Sequence, residues 1–300
     1  MTDLRAYAQL IRLPNVFTAL ADICLGWFGV LAAGTPVSRW PAFLLLLAAS
    51  ACLYSAGMVW NDYFDVEQDQ RERPFRPIPS GRVTRRSAAL FGGSLLGLGV
   101  LFAALAGWVS ATWTPAVVGL ALTAAILLYD SWLKRTWAGP LGMGTCRFLN
   151  VLLGLSVADA FPWPWGVHMA FVVGLYIVGV TWFARTEART SRGSTLTAAA
   201  GVMLAALALA LAVPAWLRPE TASVLFPYLL VALGFLVGFP VWRAVVNPVP
   251  QRVQAAVKRA ILGLVLLDAV LATAVGGIAG LVILLLLPPA MYLGRWLYST

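Results

Sequence analysis

The chain has 300 residues, of which 61% are hydrophobic and only 11% charged, and its mean hydropathy is +0.84. Soluble domains typically carry about 25% charged residues, so this composition excludes a soluble globular protein and indicates an integral membrane protein. The net charge of +9 does not predict a nucleic-acid partner, because the sequence has no basic domain and no nucleic-acid-binding motif.

Apolar runs of about 20 residues recur along the chain, which predicts a single all-α polytopic membrane domain over residues 1–300 rather than a barrel. A final apolar stretch, 258–297, is either one tilted helix or two helices broken at Gly276 and Gly277, because paired glycines weaken a helix. The sequence therefore predicts about nine transmembrane helices, with ten as the alternative. The eight earlier spans are predicted at 14–33, 41–60, 87–108, 114–133, 142–160, 165–184, 195–216 and 222–241.

The positive charges are distributed unevenly between the two sides of these spans. Of the 21 Lys and Arg residues, 18 lie before the first span or after the second, fourth, sixth and eighth spans. The opposite side receives Arg39 and Arg218. The positive-inside rule then places the N-terminus and the loops at 61–86 and 185–194 in the cytoplasm, and predicts a multi-pass protein of the cell inner membrane.

The second predicted span runs into the segment 61–69, NDYFDVEQD, which holds four of the chain's 12 acidic residues. If the helix continues into it, Asp62, Asp65 and Asp69 share one stripe, and Asn61 lies one turn before Asp65. Like charges at this spacing repel, and the C-terminal end of a helix disfavours anions. A bound Mg²⁺ would remove both costs. The alternative is a solvated acidic loop neutralised by neighbouring arginines.

A run of arginines follows the acidic segment directly. Guanidinium groups suit phosphate oxygens because they offer paired N–H donors in a planar fork. The positive-inside bias explains some of these residues, but acids followed at once by bases favour a site for a metal and a diphosphate. The run comprises Arg71, Arg73, Arg76, Arg82, Arg85 and Arg86.

These residues resemble a known family. The pattern Asn61-Asp62-x-x-Asp65-x-x-x-Asp69, followed by Arg76-Pro-Ile-Pro-Ser-Gly81, is similar to the first motif of the UbiA superfamily of intramembrane prenyltransferases. Two further matches are Tyr129-Asp-x-Trp-Leu-Lys-Arg135 and Arg12-Leu-Pro-Asn15. Within the superfamily, segments 139–154 and 183–188 most resemble the EboC-type branch found in bacterial metabolite operons.

The resemblance implies a helical bundle around a central lipid-accessible cavity, in which Mg²⁺ holds the diphosphate of a prenyl donor. The isoprenyl group then passes to a small hydrophobic or aromatic acceptor. Of the metal-site residues, it implies a catalytic role for Asn61, Asp65 and Asp69. The metal ligands that it implies in this segment are Asn61, Asp62, Asp65 and Asp69. Its candidates for binding diphosphate are Arg73, Arg76, Lys134, Arg135 and Arg185.

The second acidic motif of the superfamily is reduced in this chain. Where several aspartates are expected, the segment 181–193 has Glu187 as its one acidic residue, surrounded by arginines. Glu187 can still contact a metal, and the arginines can bind diphosphate directly. The alternative is a diverged protein that binds a prenyl lipid or a metabolite precursor and supports its export. A transporter ranks last, because the sequence lacks repeated broken helices.

Polar residues also occur inside the predicted spans. Intramembrane acids usually face the interior of a bundle, so they are functional candidates by default. We predict that the acceptor pocket is lined by Asn15 and Asp22 of the first span and by Arg147 and Asn150 of the fifth. Asp268 in the last stretch could equally pair with a basic residue near a helix end.

Overall fold

The computed structural model describes residues 3–185, 193–217 and 223–298, and these residues form helices without any strand. Eight stretches of this described part are long and apolar enough to cross a membrane. The predicted all-α membrane bundle is therefore confirmed. The α-helices in chain order are α1 (Leu4–Leu10), α2 (Leu13–Ala32), α3 (Trp40–Phe64), α4 (Val66–Glu72), α5 (Arg85–Val109), α6 (Thr114–Ser131), α7 (Gly139–Leu155), α8 (Trp165–Ala184), α9 (Gly193–Ala210), α10 (Leu225–Val246), α11 (Pro250–Gly276) and α12 (Leu287–Tyr298).

Proline sets the start of several of these helices and the end of another. It occupies the first turn of α2, α3, α6, α7 and α11, where its missing N–H costs no helical hydrogen bond. Helix α9 stops at Ala210, earlier than predicted, and a short 3-10 segment containing Pro214 follows. Helix α7 covers 139–155 rather than the predicted 142–160. The short helices α1 and α4 were not predicted.

Of the two alternatives for the last apolar stretch, the structure has the break at Gly276 and Gly277, and the chain turns back there. Gly277 has φ +60°, and a 3-10 segment, Gly277–Leu286, leads into α12. A Cβ atom on Gly276 would lie 2.6 Å from Phe28 near the end of α2, whereas Gly294 lies beside Pro14 at its start. The chain thus returns along α2 after α11. Its C-terminal part meets α1, where the Gln9 side chain donates a 3.0 Å hydrogen bond to the Leu297 carbonyl.

Helix α2 lies between two apolar cores of the bundle. One core joins α2 to α7 and to the later helices α8 to α11. The other joins α2 to α3, α5, α6 and α7. Helices α2 and α7 approach closely because both carry glycine at the crossing: a Cβ atom on Gly26 would lie 2.5 Å from the Gly154 backbone. This approach brings the polar residues of the two helices, one turn away, into contact.

Candidate active site

The acidic segment forms the end of α3, the junction residue Asp65 and the start of α4. Helical hydrogen bonding continues across the junction, because the Asp65 N–H donates to the Asn61 carbonyl at 3.1 Å and the Asp69 N–H to the Asp65 carbonyl at 2.8 Å. Asp62 and Asp69 consequently lie on one stripe, and each is only 3% exposed. The condition under which the sequence placed these acids on one stripe, a helix that continues past Trp60, is therefore met. We call the end of the bundle where this segment lies the motif end.

A single guanidinium nitrogen binds both buried carboxylates. Arg76 Nη1 donates to Asp62 Oδ1 at 3.0 Å and to Asp69 Oδ2 at 2.6 Å. Burial raises the pKa of Asp69 above the ordinary value of a carboxyl group, Arg76 opposes this rise, and the charges of Asp62 and Asp65 add to it. Arg76 thus supplies the positive charge that lies between the two buried carboxylates.

A second guanidinium approaches the same segment from the start of α2. Arg12 Nη2 lies 3.2 Å from Asp62 Oδ1 and 3.4 Å from the Asn61 side-chain oxygen. Arg12 has φ +49° in the left-handed region, at the turn that separates α1 from α2. The Arg12-Leu-Pro-Asn15 segment is thus shaped so that its arginine reaches the acidic residues.

Lysine and arginine from the turn after α6 bind the third carboxylate. Lys134 Nζ donates to Asp65 Oδ2 at 2.7 Å and to the Asn61 carbonyl at 3.3 Å. Arg135 lies 3.6 Å from Asp65 Oδ1 and also donates to the Phe64 carbonyl at 2.9 Å. We use the name motif cluster for Arg12, Asn61, Asp62, Asp65, Asp69, Arg76, Lys134 and Arg135.

The other basic candidates lie outside this cluster. Arg73 has no side-chain hydrogen bond or ion pair with any residue that the structure describes. Arg185 donates to the backbone carbonyls of Thr136 and Trp137, next to the turn that carries Lys134. Glu187 lies outside the described residues.

A cavity of about 60 Å³ lies beside the motif cluster and is lined by α2, α3, α6 and α7. Its walls are mainly apolar, and Tyr54 and Tyr129 contribute rings to them. At one end lies Asp130, which is 2% exposed and whose Oδ1 accepts a 3.2 Å hydrogen bond from the Asn61 amide nitrogen. Arg147 and Asn150 also line the cavity. One compartment therefore joins the acidic segment to the interior of the bundle.

Three of the four predicted pocket residues form one network, which we call the buried cluster: Asp22, Arg147 and Asn150. Arg147 donates to Asp22 Oδ2 at 3.0 Å, and Asn150 donates to the same oxygen at 2.8 Å. Arg147 also donates to Thr18 at 2.7 Å, and Asn150 accepts from Ser50 at 2.8 Å. The fourth residue, Asn15, is not part of this network and interacts with Tyr54.

Sequence reasoning did not assign a role to two polar participants, Arg12 and Asp130. The spacing of Asp130 and Lys134, one helical turn apart, was a usable signal for a shared site. Asp268 of α11, an intramembrane acid that the sequence singled out, is fully buried beside the carboxyl group of Asp22. It has no ion pair with a basic residue in the described part of the chain.

A family model for the UbiA prenyltransferase family matches residues 23–262. The chain belongs to this family. The chain is similar to digeranylgeranylglyceryl phosphate synthases of archaea. It is 34% identical to the protein of Metallosphaera sedula over 150 residues, which is 49% of this chain and 50% of that protein. It is 32% identical to the protein of Ignicoccus hospitalis over 189 residues, 62% of this chain and 57% of the other. The chain thus spans about half the length of these relatives.

Solved structures of UbiA proteins share the fold. A structure described as digeranylgeranylglyceryl phosphate synthase in membranes matches with a TM-score of 0.66 and 19% identity, covering 92% of this chain and 99% of that one. A UbiA homologue from Archaeoglobus fulgidus bound to GPP and Mg²⁺ matches with a TM-score of 0.65 and 15% identity, covering 89% and 99%. At these identities the likeness establishes the fold alone.

The donor set of the motif cluster fits Mg²⁺. In the described part of the chain, no three acidic, histidine or cysteine side chains converge on one point. Asp62 and Asp69, however, direct two carboxylate oxygens at one positively charged atom, Arg76 Nη1. Mg²⁺ is commonly held by one or two carboxylates together with water and substrate phosphates, so two such oxygens suffice.

Proposed function

We propose that the protein is a membrane prenyltransferase that moves an isoprenyl group from a prenyl diphosphate to a small hydrophobic or aromatic acceptor with Mg²⁺. The observation that carries the proposal is the junction of the motif cluster with the cavity through the contact between Asn61 and Asp130. A prenyl diphosphate bound at the motif cluster would have its apolar chain directly beside the mainly apolar walls of this cavity. The UbiA homologue bound to GPP and Mg²⁺ supports this choice of donor and metal.

In this proposal Asn61, Asp62, Asp65 and Asp69 are the residues that would hold the metal, with Glu187 as a further ligand. Bound Mg²⁺ supplies positive charge that stabilises the departing diphosphate. If these carboxylates held a metal ion, the Arg76 guanidinium would be available to bind phosphate oxygens. The other basic groups placed around the diphosphate are Arg73, Lys134, Arg135 and Arg185.

The reaction breaks the bond between C1 of the prenyl chain and the diphosphate oxygen, whose electron pair leaves with the diphosphate. The resulting allylic cation is attacked by the acceptor, which forms a new bond to C1 and loses a proton. The apolar cavity walls exclude water, which would otherwise capture the cation. The buried cluster and Asn15 would orient the acceptor, since Arg147 and Asn150 line the cavity. We also propose that the motif end faces the cytoplasm at the inner membrane, because the basic residues concentrate there.

The proposal is tested by incubating purified protein with geranyl diphosphate and a host lipid extract, with Mg²⁺ or with EDTA. Mass spectrometry should detect a prenylated product, together with released diphosphate, in the Mg²⁺ sample alone. Asp65→Asn should lower the rate roughly 100-fold or more, because it removes a fixed charge from the site. The matched control is Glu67→Gln, an exposed acid on α4, which should retain activity.

Two results would count against this proposal. Equal rates for the wild type and Asp65→Asn would show that the motif cluster does not carry catalysis. Mg²⁺-dependent binding of geranyl diphosphate without any product would instead favour a protein that binds prenyl lipids and supports their export.

A further inference from the structure

Asp130 lies in the last turn of α6, at the end of the cavity nearest the motif cluster. It is 2% exposed and forms no ion pair with the residues that the structure describes. Its Oδ1 accepts a hydrogen bond from the Asn61 amide nitrogen at 3.2 Å. A buried carboxylate without a paired cation is costly at the end of a membrane helix, so its position requires an explanation.

The contact with Asp130 determines which way the Asn61 amide faces. An asparagine side chain has an N–H₂ donor end and an oxygen acceptor end. The donor end of the Asn61 amide is bound by the Asp130 carboxylate. The Asn61 side-chain oxygen then faces Arg12 Nη2, 3.4 Å away, on the side of Asp62. The reversed amide would place its N–H₂ group against a guanidinium and its oxygen against a carboxylate. Both neighbours therefore select the same orientation.

The selected orientation places oxygen atoms around a single cationic atom. Arg12 Nη2 contacts the Asn61 oxygen and also Asp62 Oδ1 at 3.2 Å. A metal ion needs an oxygen from Asn61, because an amide N–H₂ group has no free electron pair to offer it. Without Asp130 the amide could turn its N–H₂ group towards the Asp62 carboxylate, and the site would lose one ligand.

We propose that Asp130 is a positioning residue for the metal site: through its hydrogen bond to Asn61 it holds the Asn61 oxygen towards the cation position beside Asp62. The inference rests on the proposed function, since it assumes that the motif cluster binds a divalent cation. Groups behind metal ligands commonly change metal affinity by 10- to 100-fold when they are replaced. Asp130 also provides a carboxylate from a helix other than α3 and α4, in a chain whose second acidic motif is reduced.

The test measures metal affinity rather than turnover. Mn²⁺ is titrated into the purified full-length protein in the presence of inorganic diphosphate, and free Mn²⁺ is followed by electron paramagnetic resonance. Asp130→Leu removes the hydrogen-bond acceptor and places an apolar side chain against the mainly apolar cavity. It should raise the Mn²⁺ dissociation constant roughly 10- to 100-fold. Ser131→Ala, on the exposed side of the same turn, is the matched control and should leave it unchanged.

A reciprocal exchange keeps the test decisive if Asp130→Leu fails to fold. In the double variant Asn61→Asp with Asp130→Asn, the new amide can donate to the new carboxylate, whose second oxygen still faces the metal position. This variant should bind Mn²⁺ within about tenfold of the wild type. Two results would overturn the inference about Asp130 and leave the proposed function standing. One is wild-type Mn²⁺ affinity in a folded Asp130→Leu variant, and the other is a loss of Mn²⁺ affinity in a folded double variant. A wild type that binds no Mn²⁺ would overturn both the inference and the metal site of the proposed function.

Discussion

The motif cluster and the buried cluster both bring aspartate and arginine side chains together, and they differ in solvent access and in charge balance. In the motif cluster three carboxylates share four basic side chains, of which Arg12 is 31% exposed and Arg135 is 59% exposed. In the buried cluster Asp22 is fully buried, and Arg147 is the one basic partner recorded among the described residues. At the motif end, the basic side chains can therefore leave the carboxylates to bind a ligand. Inside the bundle, the ion pair between Asp22 and Arg147 instead holds α2 against α7.

The largest expected difference between the two clusters is in stability. Arg147→Leu leaves the Asp22 carboxylate buried without its cation, so it should lower the free energy of unfolding by about 3–5 kcal/mol. Arg135→Leu should cost no more than about 1 kcal/mol, because Arg135 is 59% exposed and Lys134 still binds Asp65. Both values come from denaturation of the purified variants in detergent. Equal losses would remove the distinction between the clusters.

A smaller change in the free energy of unfolding is expected for a substitution at Asp268, the second buried acid inside the bundle. Asp268 lies against Asp22 and makes no ion pair with the described residues. Asp268→Asn keeps the shape of the side chain and offers a donor to the unpartnered Asp22 Oδ1. It should change the free energy of unfolding by less than about 1 kcal/mol, because it breaks no paired charge. A loss as large as that of Arg147→Leu would show that Asp268 carries part of the ion pairing.

Much of the fold could be predicted from the sequence because its signals are local. Apolar runs locate most spans, and the paired glycines mark the place where the last apolar stretch could break. The spacing of Asp62, Asp65 and Asp69 puts these acids on one stripe once the helix continues past Trp60. The exact number of transmembrane helices is harder to predict from the sequence, because α7 and the 3-10 segment after Gly277 are short. Their place in the bundle depends on packing against α2.

The candidate site was only partly predictable, because several of its contacts join distant parts of the chain. Asn61 and Asp130 are 69 positions apart, and no local pattern says that the two side chains meet. The position of Arg12 depends on a left-handed turn that lacks a glycine. Arg73, by contrast, follows the expected basic run, but its side chain has no partner among the described residues. Sequence indicated the chemistry of the site, and tertiary packing selected which basic residues reach the acids.

The most direct test of the account is a crystal or cryo-electron microscopy structure with a divalent cation and a non-reacting prenyl thiodiphosphate. In a crystal, Mn²⁺ would be located by its anomalous scattering. We expect the cation to contact Asp62 and Asp69, Arg76 to leave these carboxylates for the diphosphate, and the prenyl chain to enter the cavity lined by Asp130 and Arg147. If Arg76 still binds both carboxylates, with the cation and the diphosphate elsewhere, the motif cluster is a fixed ion-pair network rather than a ligand site.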